Sequence, residues 1–218
     1  MDLDFKNLIA TTASLCTIIQ FLTGTLVCLK IVKNKSTADM SSLPFISGCL
    51  STSLWLRYGF LIEDTSLILV NTVGSTLFFS YVVTFYLYSV RRGTVLQQFM
   101  LCLFVLSMVL LYIHKTKSDE EARSHLGLIC ASVTIMFFAA PLASLFHVIR
   151  IKSADSLPYH LILATFVVCL QWFAYGMMLN DKFIQVPNFI GCIFSALQLS
   201  LFIIYPNPKD KKEMTSVV

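Results

Sequence analysis

The sequence predicts an all-α polytopic membrane protein, in which seven transmembrane helices form two parallel three-helix repeats joined by a linker helix. Three observations predict this class. Only 13% of the 218 residues are charged and 56% are hydrophobic, whereas about 25% of the residues of a soluble domain are charged. The apolar residues form continuous runs of about 20, the length that a helix needs to cross a bilayer. Landmark residues recur at an offset of 117, the separation of Trp55 from Trp172.

The same composition argues against several other classes of protein. The seven cysteines all lie in apolar runs, which is not the pattern of a secreted disulfide scaffold. The net charge is only +4, and no basic cluster is interleaved with aromatic residues, so we expect no nucleic-acid partner. No group of His, Cys, Asp and Glu has metal-ligand spacing, and no nucleophile has a plausible base nearby. We therefore expect no enzyme activity, no metal and no cofactor.

Charged residues divide the chain into seven apolar stretches. Because these are continuous runs, they favour helices over the alternating strands of a barrel. In order, the predicted spans cover residues 7–29, 40–56, 65–90, 93–114, 124–149, 156–180 and 183–208. A charged residue directly follows each of the first six spans; in order these are Lys30, Arg57, Arg91, Lys115, Arg150 and Asp181.

The distribution of Lys and Arg predicts the orientation of the chain. Ten of the 16 basic residues follow spans one, three, five and seven, and six lie on the other side. Because loops rich in Lys and Arg stay in the cytoplasm, we expect an extracellular or lumenal N-terminus and a cytoplasmic C-terminus. The predicted cytoplasmic tail, 207–218, ends in Ser-Val-Val, which fits the free-carboxylate pattern that PDZ domains bind.

Matching motifs show that the chain contains an internal repeat. Trp-x-x-Tyr-Gly occurs at 55–59 and 172–176, and Asn-x-x-Gly occurs at 71–74 and 188–191. We therefore divide the chain into a first repeat at 7–90, a linker helix at 93–114 and a second repeat at 124–206. The linker helix restores the direction of the second copy, so the copies are parallel. Parallel repeats are typical of transporters that bind substrate near the membrane midplane.

The repeated order of Lys-Ser, Pro, Trp-x-x-Tyr-Gly, Asp and Asn-x-x-Gly around one linking helix resembles the SWEET sugar transporters, over roughly residues 8–206. The stretch 181–191, Asp-Lys-Phe-Ile-Gln-Val-Pro-Asn-Phe-Ile-Gly, is especially similar to that family. Short loops and a Trp-x-x-Tyr-Gly motif in both halves are similar to the animal members. The resemblance implies a carrier for a small neutral sugar that forms homo-oligomers in plasma or Golgi membranes.

Two asparagines and two tryptophans are the candidate sugar-binding residues. Each sugar hydroxyl that loses water without a new partner costs about 1–3 kcal/mol, and the amides of Asn71 and Asn188 can both donate and accept. Alternatively, each amide bonds a neighbouring helix. The rings of Trp55 and Trp172 suit the C–H face of a sugar, or else they anchor the helix ends at the interface. The resemblance implies that both asparagines and Trp172 line the sugar cavity, and that Trp55 narrows it toward monosaccharides.

Four further residues are candidates for an inner gate and hinge. Prolines bend helices, and Pro44, Pro141 and Pro158 lie toward the predicted cytoplasmic ends of spans two, five and six. The resemblance implies a ring of four prolines at this gate. Gly24, the repeat equivalent of Pro141, occupies the fourth position. The alternative for each proline is a static kink.

Tyr58 and Asp181 are the candidates for an outer gate. The resemblance implies that these two side chains hydrogen-bond across the closed external side of the carrier. The alternative is that a Tyr and an Asp at this depth are simply solvated at the membrane interface.

The absence of charge deep within the predicted spans indicates the mechanism. Carriers coupled to protons or sodium usually hold an ionisable residue in the membrane, so we expect facilitated diffusion of a sugar such as glucose, in either direction, by alternating access. One alternative is a seven-helix receptor, which needs no parallel repeat. Another is a proton-coupled carrier of the PQ-loop type, although its Pro-Gln pair is replaced here by Gly24-Thr25 and Pro141-Leu142. A third is a non-transporting membrane adaptor that uses the tail.

Overall fold

A computed structural model describes residues 2–38, 40–137, 139–155 and 157–205, without the side chains of residues 2, 3 and 139–144. These residues form α-helices and contain no strand, which confirms the all-α class. The helices are α1 (Asp2–Asn34), α2 (Leu43–Leu61), α3 (Thr65–Tyr88), α4 (Arg92–His114), α5 (Asp119–Met136), α6 (Ala139–Ile151), α7 (Tyr159–Met178) and α8 (Lys182–Ile204). The predicted tail and its PDZ-type terminus lie outside the described residues.

Five of the described helices are long and apolar enough to cross a membrane. They are Asp4–Asn34 within α1, and the whole of α3, α4, α7 and α8. The second predicted span corresponds to α2, which has 19 residues. Helix α2 is not among these five, because Arg57 and four Ser and Thr residues lower its mean hydropathy.

The fifth predicted span, 124–149, is interrupted near Pro141, one of the prolines expected to bend its helix. Helix α5 ends at Met136 and α6 begins at Ala139. Pro141 has no backbone N–H to donate to the carbonyl of Phe137, and its ring disfavours a helical turn immediately before it. The backbone of Phe137 instead closes a tighter turn, with its N–H 3.2 Å from the carbonyl oxygen of Thr134.

Helices α3 and α8 begin with the same capping arrangement. Asp64 is the N-cap of α3, and its carboxylate accepts a hydrogen bond from the backbone N–H of Leu67 at 2.8 Å. Asp181 is the N-cap of α8 and accepts from the N–H groups of Phe183 at 2.9 Å and Ile184 at 3.3 Å. These bonds satisfy N–H groups that have no partner within the helix.

The turns that lead into these caps also match. The backbone N–H of Asp64 donates to the carbonyl of Gly59 at 3.0 Å, and Asp181 donates to Gly176 at the same distance. The residues just before the caps, Glu63 and Asn180, have φ values of 55° and 52°. A left-handed residue, followed by a residue whose N–H bonds the carbonyl five positions earlier, forms the Schellman motif that ends many helices. Equivalent positions of the two repeats therefore have the same backbone conformation, with no glycine at the left-handed position.

The chain forms two compact units, one of residues 10–130 and one of residues 1–9 and 131–218. In the first unit, α2 packs along α3, and α4 packs against both. One core cluster of the first unit is formed by buried residues of four helices, namely Cys28, Ile31, Phe45, Ile46, Tyr81, Val82, Phe85, Val95 and Cys102. In the second unit α7 packs along α8, and its core contains Val148, Ala154, Leu157, Ile162 and Leu201.

Candidate substrate-binding and gating residues

Asn71 and Asn188 make the same hydrogen bond in the two repeats. The Nδ2 of Asn71 donates to the carbonyl oxygen of Leu67 at 2.9 Å, and the Nδ2 of Asn188 donates to that of Ile184 at 2.8 Å. In each case the acceptor residue is four positions earlier on the same helix and also donates its own N–H to the capping aspartate. The alternative in which each amide bonds a neighbouring helix is not found among the described residues.

The rest of each asparagine amide remains available to a ligand. The Oδ1 atoms of Asn71 and Asn188 have no hydrogen-bond partner among the described residues. Asn71 is 6% exposed, and Asn188 is half-buried. Because a side-chain amide has two donor hydrogens and an acceptor oxygen, each residue retains one acceptor and one donor. That combination matches a sugar hydroxyl, which also donates and accepts.

The two tryptophan rings are held at fixed angles by the tyrosines of their own motifs. Trp55 lies edge-to-face with Tyr58, with ring centroids 5.5 Å apart and planes at 89°. Trp172 lies 5.7 Å from Tyr175 at 75°. Trp172 is buried and Trp55 is half-buried. Edge-to-face pairs are favoured by the quadrupoles of the rings, so the Trp-x-x-Tyr spacing fixes the orientation of the indole in both repeats.

The glycine of the same motif allows two helices to approach closely. A Cβ added at Gly59 would lie 3.1 Å from the backbone nitrogen of Ile68, and one at Gly176 would lie 3.0 Å from that of Gln185. These distances are shorter than a side chain tolerates without a shift of backbone. The structure therefore explains Trp-x-x-Tyr-Gly as one packing unit, in which Tyr orients Trp and Gly admits the next helix.

Both candidates for the outer gate are fully buried. Tyr58 is 0% exposed and Asp181 is 1% exposed. Asp181 also has the structural role of capping α8, which we did not predict from the sequence. The signal was present, because an Asp directly before an apolar helical run is a typical N-cap. A gating role for the two residues stays a prediction.

Gly24 lies inside α1 and is covered by an aromatic ring of α3. A Cβ at this position would lie 2.5 Å from Cε2 of Tyr81. The Tyr81 hydroxyl is 2.7 Å from Oγ1 of Thr25 and donates to the carbonyl of Phe21 at 3.1 Å. The sequence predicted Gly24 as a hinge, but gave no signal for its contact with Tyr81. Its absent side chain makes room for this ring.

The described prolines of the predicted inner gate lie at helix starts. Pro44 is in the first turn of α2, and Pro158 is the N-cap of α7. A proline there removes no hydrogen bond that the helix would otherwise make, so neither bends its helix as expected from the sequence. The side chain of Pro141 lies outside the described residues. A gating role for the three prolines stays a prediction.

A family profile described as "Sugar efflux transporter for intercellular exchange" matches this chain twice, over residues 7–93 and 124–210. The second match begins 117 residues after the first, which is the offset of the repeated motifs. A relative named "Sugar transporter SWEET1" from Drosophila pseudoobscura pseudoobscura is 48% identical over 202 residues, which cover 92% of this chain and 89% of the relative. The chain belongs to the SWEET family of sugar transporters.

Relatives from other animals are also similar to this chain. "Sugar transporter SWEET1" from Mus musculus is 34% identical over 207 residues, or 94% of each chain. The protein of that name from Homo sapiens is 37% identical over 178 residues, which cover 81% of this chain and 80% of the relative. These identities confirm an animal-type SWEET.

A solved SWEET structure has the same fold. It is described as "The 3.7 A resolution structure of a eukaryotic SWEET transporter", and its TM-score is 0.83 at 27% identity. The alignment covers 92% of this chain and 98% of the solved one. The all-α membrane fold with repeated helical units is therefore the SWEET fold.

Proposed function

We propose that this protein carries monosaccharides such as glucose across a membrane by facilitated diffusion, in either direction. SWEET membership supports a sugar as the substrate. The observation that supports binding of a monosaccharide is the pair of repeat-equivalent asparagines, each with an acceptor and a donor that no other described residue uses. Asn71 and Asn188 are the proposed sugar-binding residues, with the rings of Trp55 and Trp172 as apolar contacts.

The polar chemistry of the asparagines fits a neutral substrate. A sugar hydroxyl that leaves water needs a partner in the protein, and an unmatched one costs about 1–3 kcal/mol. An amide meets that need without introducing a charge, which would favour an ionic substrate instead. The tryptophans add contact area for the C–H groups of the ring.

The direct test measures uptake of radiolabelled glucose in cells that lack their own sugar transporters. We expect Asn71→Ala and Asn188→Ala to lower the initial rate about tenfold or more, because each removes contacts to substrate hydroxyls worth about 1–3 kcal/mol. Surface expression is measured in parallel. Normal glucose flux in both variants at normal surface levels would contradict the assignment.

Thr72→Ala is the matched control. Thr72 follows Asn71 on α3, and its hydroxyl also donates to a carbonyl four residues earlier, that of Ile68 at 2.7 Å. Its side chain is exposed, however. We expect this variant to transport at the normal rate. An equal loss in Thr72→Ala would show that the asparagine effect comes from the lost helix bond and not from sugar binding.

We further propose alternating access with Tyr58 and Asp181 at the outer gate. The design of the test uses the fact that Asn is as good an N-cap as Asp. Asp181→Asn should keep α8 capped. It replaces a carboxylate, which can only accept hydrogen bonds, by an amide, which can also donate them. We expect it to alter glucose flux, whereas Asp64→Asn, the same change at the equivalent cap of α3, leaves flux unchanged. Equal flux in both variants would remove Asp181 from the gate.

The protein is an integral membrane protein, and we propose that its N-terminus is extracellular or lumenal and its C-terminus cytoplasmic. The excess of Lys and Arg on one side supports this orientation. Epitope tags at the two ends, probed in intact and permeabilised cells, test it and also distinguish plasma from Golgi membrane. We expect only the N-terminal tag at the surface to be accessible without permeabilisation.

A further inference from the structure

The side chain of Lys6, at the start of α1, lies over an aromatic ring near the end of α7. Its Nζ is 5.9 Å from the centroid of the Tyr175 ring. The face of an aromatic ring attracts a cation up to roughly 6 Å from its centroid. Lys6 makes no ion pair with a described acidic side chain. The ring of Tyr175 is therefore the partner that the structure gives to this charge.

The direction of the Lys6 side chain is unusual for a lysine near the end of a membrane helix. Such a lysine normally extends its ammonium group toward water. Lys6 is half-buried, whereas its apolar neighbours Phe5 and Leu8 are 54% and 59% exposed. It shares a helix face with Ala10, four residues later, which is 4% exposed. Lys6 thus lies on the covered face of α1, and the contact with Tyr175 explains why a charge is tolerated there.

Tyr175 offers this cation a ring whose position is already fixed. The residue is 3% exposed, and its ring lies edge-to-face with that of Trp172. The carbonyl of Gly176, the next residue, accepts hydrogen bonds from the backbone N–H of Asp181 and from Nε2 of Gln185, both at 3.0 Å. These bonds hold the end of α7 against the start of α8. Binding to a ring that is already held costs little further conformational freedom.

The contact also coincides with a division within α1. Residues 1–9 belong to the unit that contains 131–218, whereas the rest of α1 belongs to the unit of 10–130. The start of α5, residues 119–130, likewise belongs to the unit of the first repeat. The first helix of each repeat therefore begins in the unit of the other repeat. If the two repeats move against each other, these helix starts must part from the opposite repeat when the carrier opens at that end.

We propose that Lys6 is a further gating residue of this carrier. Its ammonium group binds the face of Tyr175 while the membrane side that carries the N-terminus is closed, and it leaves the ring when that side opens. A contact made in the closed conformation alone lowers the fraction of carriers that are open on that side. The inference rests on the proposed alternating access, and it involves neither Tyr58 nor Asp181.

Labelling of a cysteine at the proposed sugar site measures how often the N-terminal side is open. Asn188→Cys, in the full chain, is exposed to a membrane-impermeant thiol reagent in sealed vesicles whose N-terminal tag faces outward. Labelling above that of the parent, which has its native cysteines, reports opening on this side. We expect Lys6→Gln to raise the labelling rate at least about threefold, because the closed conformation loses its cation–π contact. An unchanged labelling rate overturns the proposal.

Matched variants separate this contact from a general effect of charge. Lys6→Arg keeps a cation that can bind the face of a ring. Lys182→Gln removes an exposed lysine in the first turn of α8, beyond the turn that follows Tyr175. We expect both variants to label Asn188→Cys within about twofold of the rate without them. An increase in either variant equal to that in Lys6→Gln overturns the proposal.

The partner of Lys6 is tested by changing the ring and the nearest alternative. Lys6→Gln should have no effect in a Tyr175→Leu background, and its full effect in Tyr175→Phe, which keeps the ring face. Asp2, whose side chain lies outside the described residues, precedes Lys6 by the four residues of a helical ion pair. We expect Asp2→Asn to leave labelling unchanged. A full effect of Lys6→Gln in Tyr175→Leu, or an equal effect of Asp2→Asn, overturns the proposal.

Glucose uptake by the parent chain is measured beside the labelling. Uptake that is absent while Lys6→Gln still speeds labelling contradicts glucose as the substrate and supports the role of Lys6. Normal uptake by the parent with no response of labelling to Lys6→Gln overturns the role of Lys6 alone.

Discussion

Tyr81 illustrates how one side chain sets the identity of another on a facing helix. Its ring occupies the space where Gly24 would carry a Cβ, and its hydroxyl contacts two further residues of α1. Nothing in the local sequence of α1 indicates this, because the contact joins residues that are 57 positions apart. The sequence could therefore identify Gly24 as unusual for its repeat position, but could not give the physical reason.

The contact predicts that Gly24→Ala destabilises the protein by about 1–3 kcal/mol, the usual cost of overpacking. The physical reason is the 2.5 Å distance between the new Cβ and the Tyr81 ring. Thermal unfolding in detergent measures the effect. Gly93→Ala is the control, since a Cβ there meets nothing within 4 Å. Equal stability of the two variants would contradict the packing account, and adding Tyr81→Ala to Gly24→Ala should remove the clash.

The capping aspartates lead to a second prediction at the residue scale. We expect Asp64→Ala to lower the free energy of unfolding by about 1 kcal/mol, because the N–H of Leu67 loses its acceptor. Asp64→Asn should retain most of the stability, since its amide oxygen can accept the same bond. Denaturation of the two variants side by side provides the measurement. An equal loss in both would mean that the charge, and not the cap, is what stabilises α3.

Helices α2 and α3, like α7 and α8, are joined by turns whose conformation the sequence only partly reveals. The matching motifs predicted that the two repeats fold alike, and the turns before Asp64 and Asp181 do make the same backbone hydrogen bond. The left-handed residues could not be predicted, since Glu63 is an uncommon choice where glycine is usual. Pro141 predicted a bend in the fifth span, but the hydropathy of 124–149 is continuous and could not show that the helix ends at Met136 and restarts at Ala139.

The left-handed turns predict that Glu63→Gly stabilises the protein by roughly 1 kcal/mol. A non-glycine residue at a φ of 55° carries a steric penalty that glycine lacks. Asn180→Gly should gain less, because Asn tolerates this conformation better than Glu. Unfolding temperatures of the two variants, compared with the parent, give the answer. A larger gain for Asn180→Gly would show that side-chain contacts, and not backbone strain, decide the stability of these turns.

At the scale of the whole molecule, the scarcity of charge predicts how transport responds to ion gradients. Residues 7–29 of α1 and the central parts of α3, α4, α7 and α8 contain no Asp, Glu, Lys or Arg. We expect a protonophore, or sodium replacement, to leave the initial rate of glucose uptake unchanged, with no accumulation above the outside concentration. Concentrative uptake that collapses with the proton gradient would favour the proton-coupled alternative instead.

Much of the whole molecule followed from the sequence, including its helical class, its repeat and its family. The reason is that both properties can be read directly along the chain. Helices that cross a bilayer need long apolar runs, and a duplication leaves matching motifs at a fixed offset. The geometry of the candidate site was harder to predict from the sequence. The motifs identified Asn71 and Asn188 as candidates. The hydrogen bonds of their amides depend on side-chain rotamers, which a pattern of residue types does not predict.

The bond from each asparagine to its own helix has a consequence for binding from either side of the membrane. Because Asn71 and Asn188 are tethered to carbonyls of α3 and α8, each amide is held by a hydrogen bond within its own helix. A side chain already fixed in the empty protein loses little further freedom when a ligand arrives. We therefore expect the carrier to present the same pair of amides whichever entrance is open, and so to bind sugar with similar affinity from both compartments.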